Sequence, residues 1–70
     1  MANYQMLKTL IDERGMKRTF IASKMGVTDK RLHELLNGIG PGWKLREVVA
    51  ISKVLGLTKK QREDIFFTTV

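Results

Sequence analysis

The stretch from Arg18 to Gly38 restricts the possible fold more than any other part of the chain. Its apolar residues form two short sets, Ile21, Ala22 and Met25 and then Leu32, Leu35 and Leu36. Each set lines one face of a helix only about two turns long. Gly26 lies between them. A glycine just past a helix end takes the left-handed conformation that lets orphan carbonyls find amide partners, which a side chain with a Cβ adopts less easily. After Val27, Thr28 is a good N-cap, and Asp29 places a carboxylate at the positive end of the new helix. The second helix stops at Asn37-Gly38 by the same rule. The spacing therefore predicts two short helices turned sharply at Gly26, the order of a helix-turn-helix.

The flanking segments predict supporting helices. Asn3 caps a first helix with Met6 or Leu7, Leu10 and Ile11 inward and Lys8, Asp12 and Glu13 toward water, closed by Gly15. A fourth helix carries Leu45, Val48, Ile51, Ser52 and Leu55 on its inner side and stops at Gly56. Thr58 with Gln61 forms a capping-box pattern that opens a fifth, from Lys59 to about Phe66. Between the third and fourth, Ile39-Gly40-Pro41-Gly42-Trp43 contains three turn-formers in succession and allows no helix. Trp43 is expected either to bury its ring against the third or fourth helix or to meet a second subunit or a sugar-phosphate backbone. The expected fold is all-α, one compact five-helix domain spanning residues 1–70. The ending Ile-Phe-Phe-Thr-Thr-Val carries enough apolar mass to meet either the core or another subunit.

Charge narrows the function. Thirteen Lys and Arg against seven Asp and Glu give a net charge of +6. Residues 1–14 sum to zero, whereas 17–31 carry five positive charges and one negative, and 44–64 carry six and three. The excess overlaps the paired helices. Clustered cations bind nucleic acid by releasing condensed counterions. With no cysteine and a single histidine, no metal centre or disulfide is expected. No nucleophile-base set or phosphate loop appears, so neither an enzyme nor a cofactor is expected. No apolar run approaches the roughly 20 residues of a membrane span, and no signal core follows the N-terminus. A cytoplasmic location is the expectation.

A rotation of about 100° per residue decides what the third helix presents outward. With its leucines inward, Lys30, Glu34 and Asn37 point the opposite way, Arg31 and His33 flank them, and Asp29 leads. Lys30 and Arg31 have the donors that guanine O6 and N7 accept, and Glu34 or Asp29 can accept from cytosine N4. Thr28 and Asn37 are sized for phosphate or sugar. The alternative for Lys30 and Glu34, four residues apart, is an ion pair on a solvated face. Lys17 and Arg18 open the preceding helix, where cations are unfavourable on local grounds. Phe20 lies beside the inward stripe.

The register of Ile21-Ala22, Gly26-Val27, Leu32 and Leu35, with Gly15, Asn37-Gly38 and Leu55-Gly56 around it, resembles the Cro/repressor-type helix-turn-helix family of phages and bacteria. The resemblance runs without a gap from about Leu7 to Leu57 and implies a lambda-repressor-like domain whose helices 2 and 3 form the DNA-binding unit. It implies a phosphate contact at Arg18, where the family usually has glutamine, and base contacts at Asp29, Lys30 and Glu34. It also implies a backbone approach and a dimer contact in the 39–43 loop, with Lys44 just beyond as a phosphate contact. The family often has proline at Trp43 and polar or basic residues at Ile39 and Gly40. A first-helix arginine and an acid before the Asn-Gly form a buried ion pair in many members; Ile11 and Leu36 replace both here, which avoids a lone buried charge.

The expectation is thus a Cro-like, phage- or prophage-type repressor of the bacterial nucleoid, which binds double-stranded DNA in the major groove as a homodimer through the 39–43 loop and C-terminal residues. The alternative is an antirepressor or interaction module that keeps the fold and binds another regulator protein. Asp29, Glu34, Phe20 and Trp43 favour it.

Overall fold

Local capping interactions set most of the helix limits. In the computed structural model, which describes residues 3–67, these caps separate five helices: α1 (Tyr4–Glu13), α2 (Arg18–Met25), α3 (Asp29–Asn37), α4 (Leu45–Leu55) and α5 (Lys59–Phe66). There is no strand among the described residues. The Asn3 side chain accepts from the Met6 N–H at 3.1 Å to open α1. Gly26, at φ +75°, ends α2, and the following Val27 N–H donates to the Ala22 carbonyl at 3.0 Å. Thr28 Oγ1 accepts from the Arg31 N–H at 3.0 Å and starts α3. Thr58 and Gln61 exchange hydrogen bonds of 3.0 and 3.1 Å at the start of α5. Lys17, by contrast, contributes no side-chain cap to α2.

The apolar stripes converge on one core. Leu7, Leu10 and Ile11 of α1, Ile21 and Ala22 of α2, Leu32 and Leu36 of α3, Ile51 and Leu55 of α4 and Ile65 of α5 form a continuous buried cluster. Met6 packs at its edge. Helix α2 lies against α3 and α4, and α1 lies against α3 and α5. The radius of gyration is 11.0 Å, matching the roughly 11 Å of a compact chain of this length. Ile11 and Leu36 are both fully buried.

One expected core position is corrected. Leu45 is 75% exposed, whereas Glu47 is only 5% exposed. The packed side of α4 is centred between Ile51 and Leu55, which lies about 100° from Leu45 and only about 60° from Glu47. Val49, on the same side as Leu45, is also exposed.

An aromatic trio fixes the irregular segment before α4. Trp43 stacks on Tyr4 with ring centres 6.4 Å apart and meets Phe66 edge-on at 4.8 Å. Its indole Nε1 donates to the Leu35 carbonyl at 3.0 Å. Of the two readings of Trp43, packing within the chain is therefore the one observed. Phe20 is half exposed, with Lys24 Nζ 5.5 Å above its ring.

Gly26 and Gly38 separate two constraints on a turn. Both have positive φ, but a Cβ on Gly38 would lie 3.2 Å from Tyr4 Cε2, whereas one on Gly26 meets nothing within 4 Å. Gly26→Ala is expected to cost about 1 kcal/mol, from backbone conformation alone. Gly38→Ala should cost measurably more in urea unfolding followed by Trp43 fluorescence. Equal losses would show that Tyr4 yields freely.

Candidate nucleic-acid interface

Burial of Leu32, Leu35 and Leu36 sets the rotation of α3 and turns its other side outward. Lys30, His33 and Asn37 are exposed along that side, Glu34 and Arg31 are half-buried beside them, and Asp29 is exposed at the leading end of the helix. Lys30 and Glu34 make no ion pair with each other. Lys17 and Arg18 are exposed at the start of α2, and Lys44 is exposed immediately before α4. Thr28 is exposed, with its oxygen engaged in the α3 cap.

Asn37 is already engaged. Its Nδ2 donates to the His33 carbonyl at 2.8 Å and lies 3.3 Å from His33 Nδ1. Lys8 Nζ donates to Asn37 Oδ1 at 2.9 Å. Lys8, expected to face only water, therefore joins α1 to the C-terminal end of the α3 surface.

Arg31 requires a larger correction. Its expected use as a two-donor guanine contact conflicts with its place in the fold, because Nε donates to Glu47 Oε2 at 3.0 Å and Nη2 donates to Glu47 Oε1 at 2.9 Å and to the Gly42 carbonyl at 2.7 Å. Both Nη2 hydrogens are thereby used. The same Glu47 Oε1 accepts from the Lys44 N–H at 2.8 Å, so one carboxylate holds α3 and satisfies an amide at the start of α4. Sequence reading missed Glu47 as part of this surface. Its one local signal is its spacing, three residues after Lys44, where an acid can reach back to the preceding amide.

The Arg31 hydrogen bonds hold the Glu47 carboxyl below its ordinary value of 4.5, against burial, which raises it. The same contact raises Arg31 above the ordinary arginine value. Stability from the pair is therefore fully present above pH 4.5 and is lost as pH falls through the lowered folded value.

The cleft between the α2–α3 turn and the start of α4 is lined by Met25, Gly26, Val27, Arg46 and Glu47. That lining offers no hydroxyl, thiol or imidazole. Among the described residues, no group of three His, Asp or Glu is placed to hold a metal ion, and no helix is long and apolar enough to cross a membrane. Of the residues assigned to the expected dimer contact, Ile39 and Phe67 are exposed, Trp43 is packed as described, and residues 68–70 lie outside the described residues.

Compared with protein-family models, curated proteins and solved structures, the chain gives no significant match in any of the three.

The pair makes a pH-dependent prediction. Below pH 4.5 the urea midpoint of the natural chain should fall more steeply than that of Arg31→Met/Glu47→Leu, which has no pair to protonate. Near neutral pH, Glu47→Ala should be less stable than either, because it strands a partly buried guanidinium. Parallel acid limbs for the natural chain and the double variant would remove the pair from the pH dependence.

Proposed function

We propose that the chain is a sequence-specific DNA-binding transcriptional regulator, a Cro-like repressor in which α2 and α3 act as a helix-turn-helix of the lambda-repressor type. The observation that carries this reading is the outward side of α3, where Lys30, His33 and Asn37 stand exposed away from three buried leucines, with Asp29 exposed at the leading end. It is supported by the charge of +6, concentrated on the segments that flank this helix. In this reading α3 enters the major groove, and Lys30 and Glu34 make the choice of bases. Arg18, Lys17, Thr28 and Lys44 hold the phosphate backbone. A dimer places two such helices about 34 Å apart on an operator of approximate two-fold symmetry. Repression follows from occupancy of that site in the bacterial cytoplasm.

A second reading is favoured by the apolar residues left outside the core. Phe20, Ile39, Leu45, Val49 and Phe67 are all more than 40% exposed, which suits an antirepressor that docks on another regulator. A gel shift with the DNA flanking the chain's own gene, set against a pull-down of the neighbouring regulator, separates the two.

On the DNA-binding reading, Lys30→Ala should weaken binding by about tenfold or more at one operator position and little on random duplex. Arg18→Ala should weaken all sequences alike and flatten the dependence of log K on log salt by about 0.9. Equal losses from both substitutions on operator and random DNA would remove Lys30 as a base reader.

A further inference from the structure

An arginine guanidinium carries five N–H donors, and the fold uses three of those on Arg31. Nε and one Nη2 hydrogen go to Glu47, and the other Nη2 hydrogen goes to the Gly42 carbonyl. Nη1 donates to nothing among the described residues. No buried side-chain nitrogen or oxygen lacks a partner among the described residues, so Nη1 must reach the surface. The side chain as a whole is 18% exposed and that of Glu47 6% exposed. The guanidinium is thus held by one edge and presents a single nitrogen outward. The holding carboxylate is itself fixed by the Lys44 N–H.

We propose that Glu47 is a positioning residue for the DNA-facing surface, holding Arg31 so that Nη1 meets a backbone phosphate rather than a base edge. This rests on the DNA-binding reading above. A base contact by arginine uses two adjacent nitrogens of the fork, and here Nη2 has no hydrogen left to give. A single outward nitrogen suits a phosphate oxygen, which needs direction and charge but carries no sequence information. The side chain is ordered before DNA arrives, so little rotamer freedom is lost on binding. Arg31 stands one residue from the proposed base reader Lys30, so a phosphate gripped at Nη1 sets the position of the reading residues in the groove.

The charge balance gives this contact a signature distinct from that of Arg18. Arg31 and Glu47 together are neutral, so replacing both leaves the salt dependence of binding nearly unchanged while removing one directed hydrogen bond.

The test begins with an operator selected from a library of random duplexes. A set of duplexes is then made from it, each with one phosphate replaced by an uncharged methylphosphonate. With the natural chain, one phosphate in each half-site, besides those assigned to Lys17, Arg18, Thr28 and Lys44, should cost about tenfold or more in affinity when replaced. Arg31→Met/Glu47→Leu, a packed apolar replacement whose fold is checked by circular dichroism, should lose its sensitivity at that phosphate alone and keep the natural salt slope. Glu47→Gln retains Arg31 but not its carboxylate clamp, and should reduce sensitivity at the same phosphate. If both variants keep the natural profile, or lose sensitivity equally at every phosphate, the pair serves only the fold and the proposal is overturned. If the natural chain selects no duplex at all, the DNA-binding reading itself has failed, and this inference fails with it.

Discussion

Burial of Leu32, Leu35 and Leu36 is the constraint on which the rest of the structure depends. These side chains are at most 1% exposed, and each is worth on the order of 2 kcal/mol when removed from water. A helix of nine residues has little stability of its own, so α3 exists because this stripe is packed. A one-residue shift of the stripe would rotate the helix by about 100° and put the charged side chains into the core. The packing therefore decides both that α3 forms and which residues it presents.

A second layer, made of polar contacts, fixes what hydrophobic packing leaves free. Apolar burial is non-directional and does not determine the path of the Gly-Pro-Gly segment between α3 and α4. Two side-chain contacts do: Arg31 to the Gly42 carbonyl and Trp43 to the Leu35 carbonyl. The Arg31–Glu47 pair is poor evidence for net stability, because an apolar pair of similar volume can do as well. Its value is geometric. It ties the first turn of α3 to the first turn of α4 and fixes one arginine between them.

These two layers explain what could be read from the chain beforehand. Helix limits were legible because their causes are local: Gly26, Gly38 and Gly56 with positive φ, and Thr28 and Thr58 as caps. The outward side of α3 followed from the same periodicity. The inner side of α4 followed too at Val48, Ile51, Ser52 and Leu55, but its edge did not, because Leu45 extends the apolar pattern past the packed face and a pattern cannot say where a face ends. Partners distant in sequence were not legible either. Arg31 and Glu47 are 16 residues apart, and Lys8 and Asn37 are 29 apart; their contacts depend on how the helices cross. Periodicity thus identified the candidate surface, while contacts between helices determined which of its side chains remain available.

The acids on that surface bear on how such a chain would discriminate between sequences. Two unit charges 4 Å apart interact by about 1 kcal/mol in water and about 4 kcal/mol near a protein surface. On the proposed reading, Asp29 and Glu34 therefore oppose every phosphate they approach, whatever the sequence. This penalty falls on specific and non-specific complexes alike. A cytosine amine in the right place offsets it only in the specific one, by about 1–3 kcal/mol. The acids lower affinity everywhere and raise the ratio of right sites to wrong ones. That exchange is tolerable where the remaining surface has positive charge to spare, and the net +6 of the chain supplies it. Locking Arg31 to Glu47 acts in the same direction, because a neutral pair adds no indiscriminate attraction yet still offers one directed donor. Long-range attraction is then left to Lys17, Arg18 and Lys44 at the edges, and selection to the short outward row of α3.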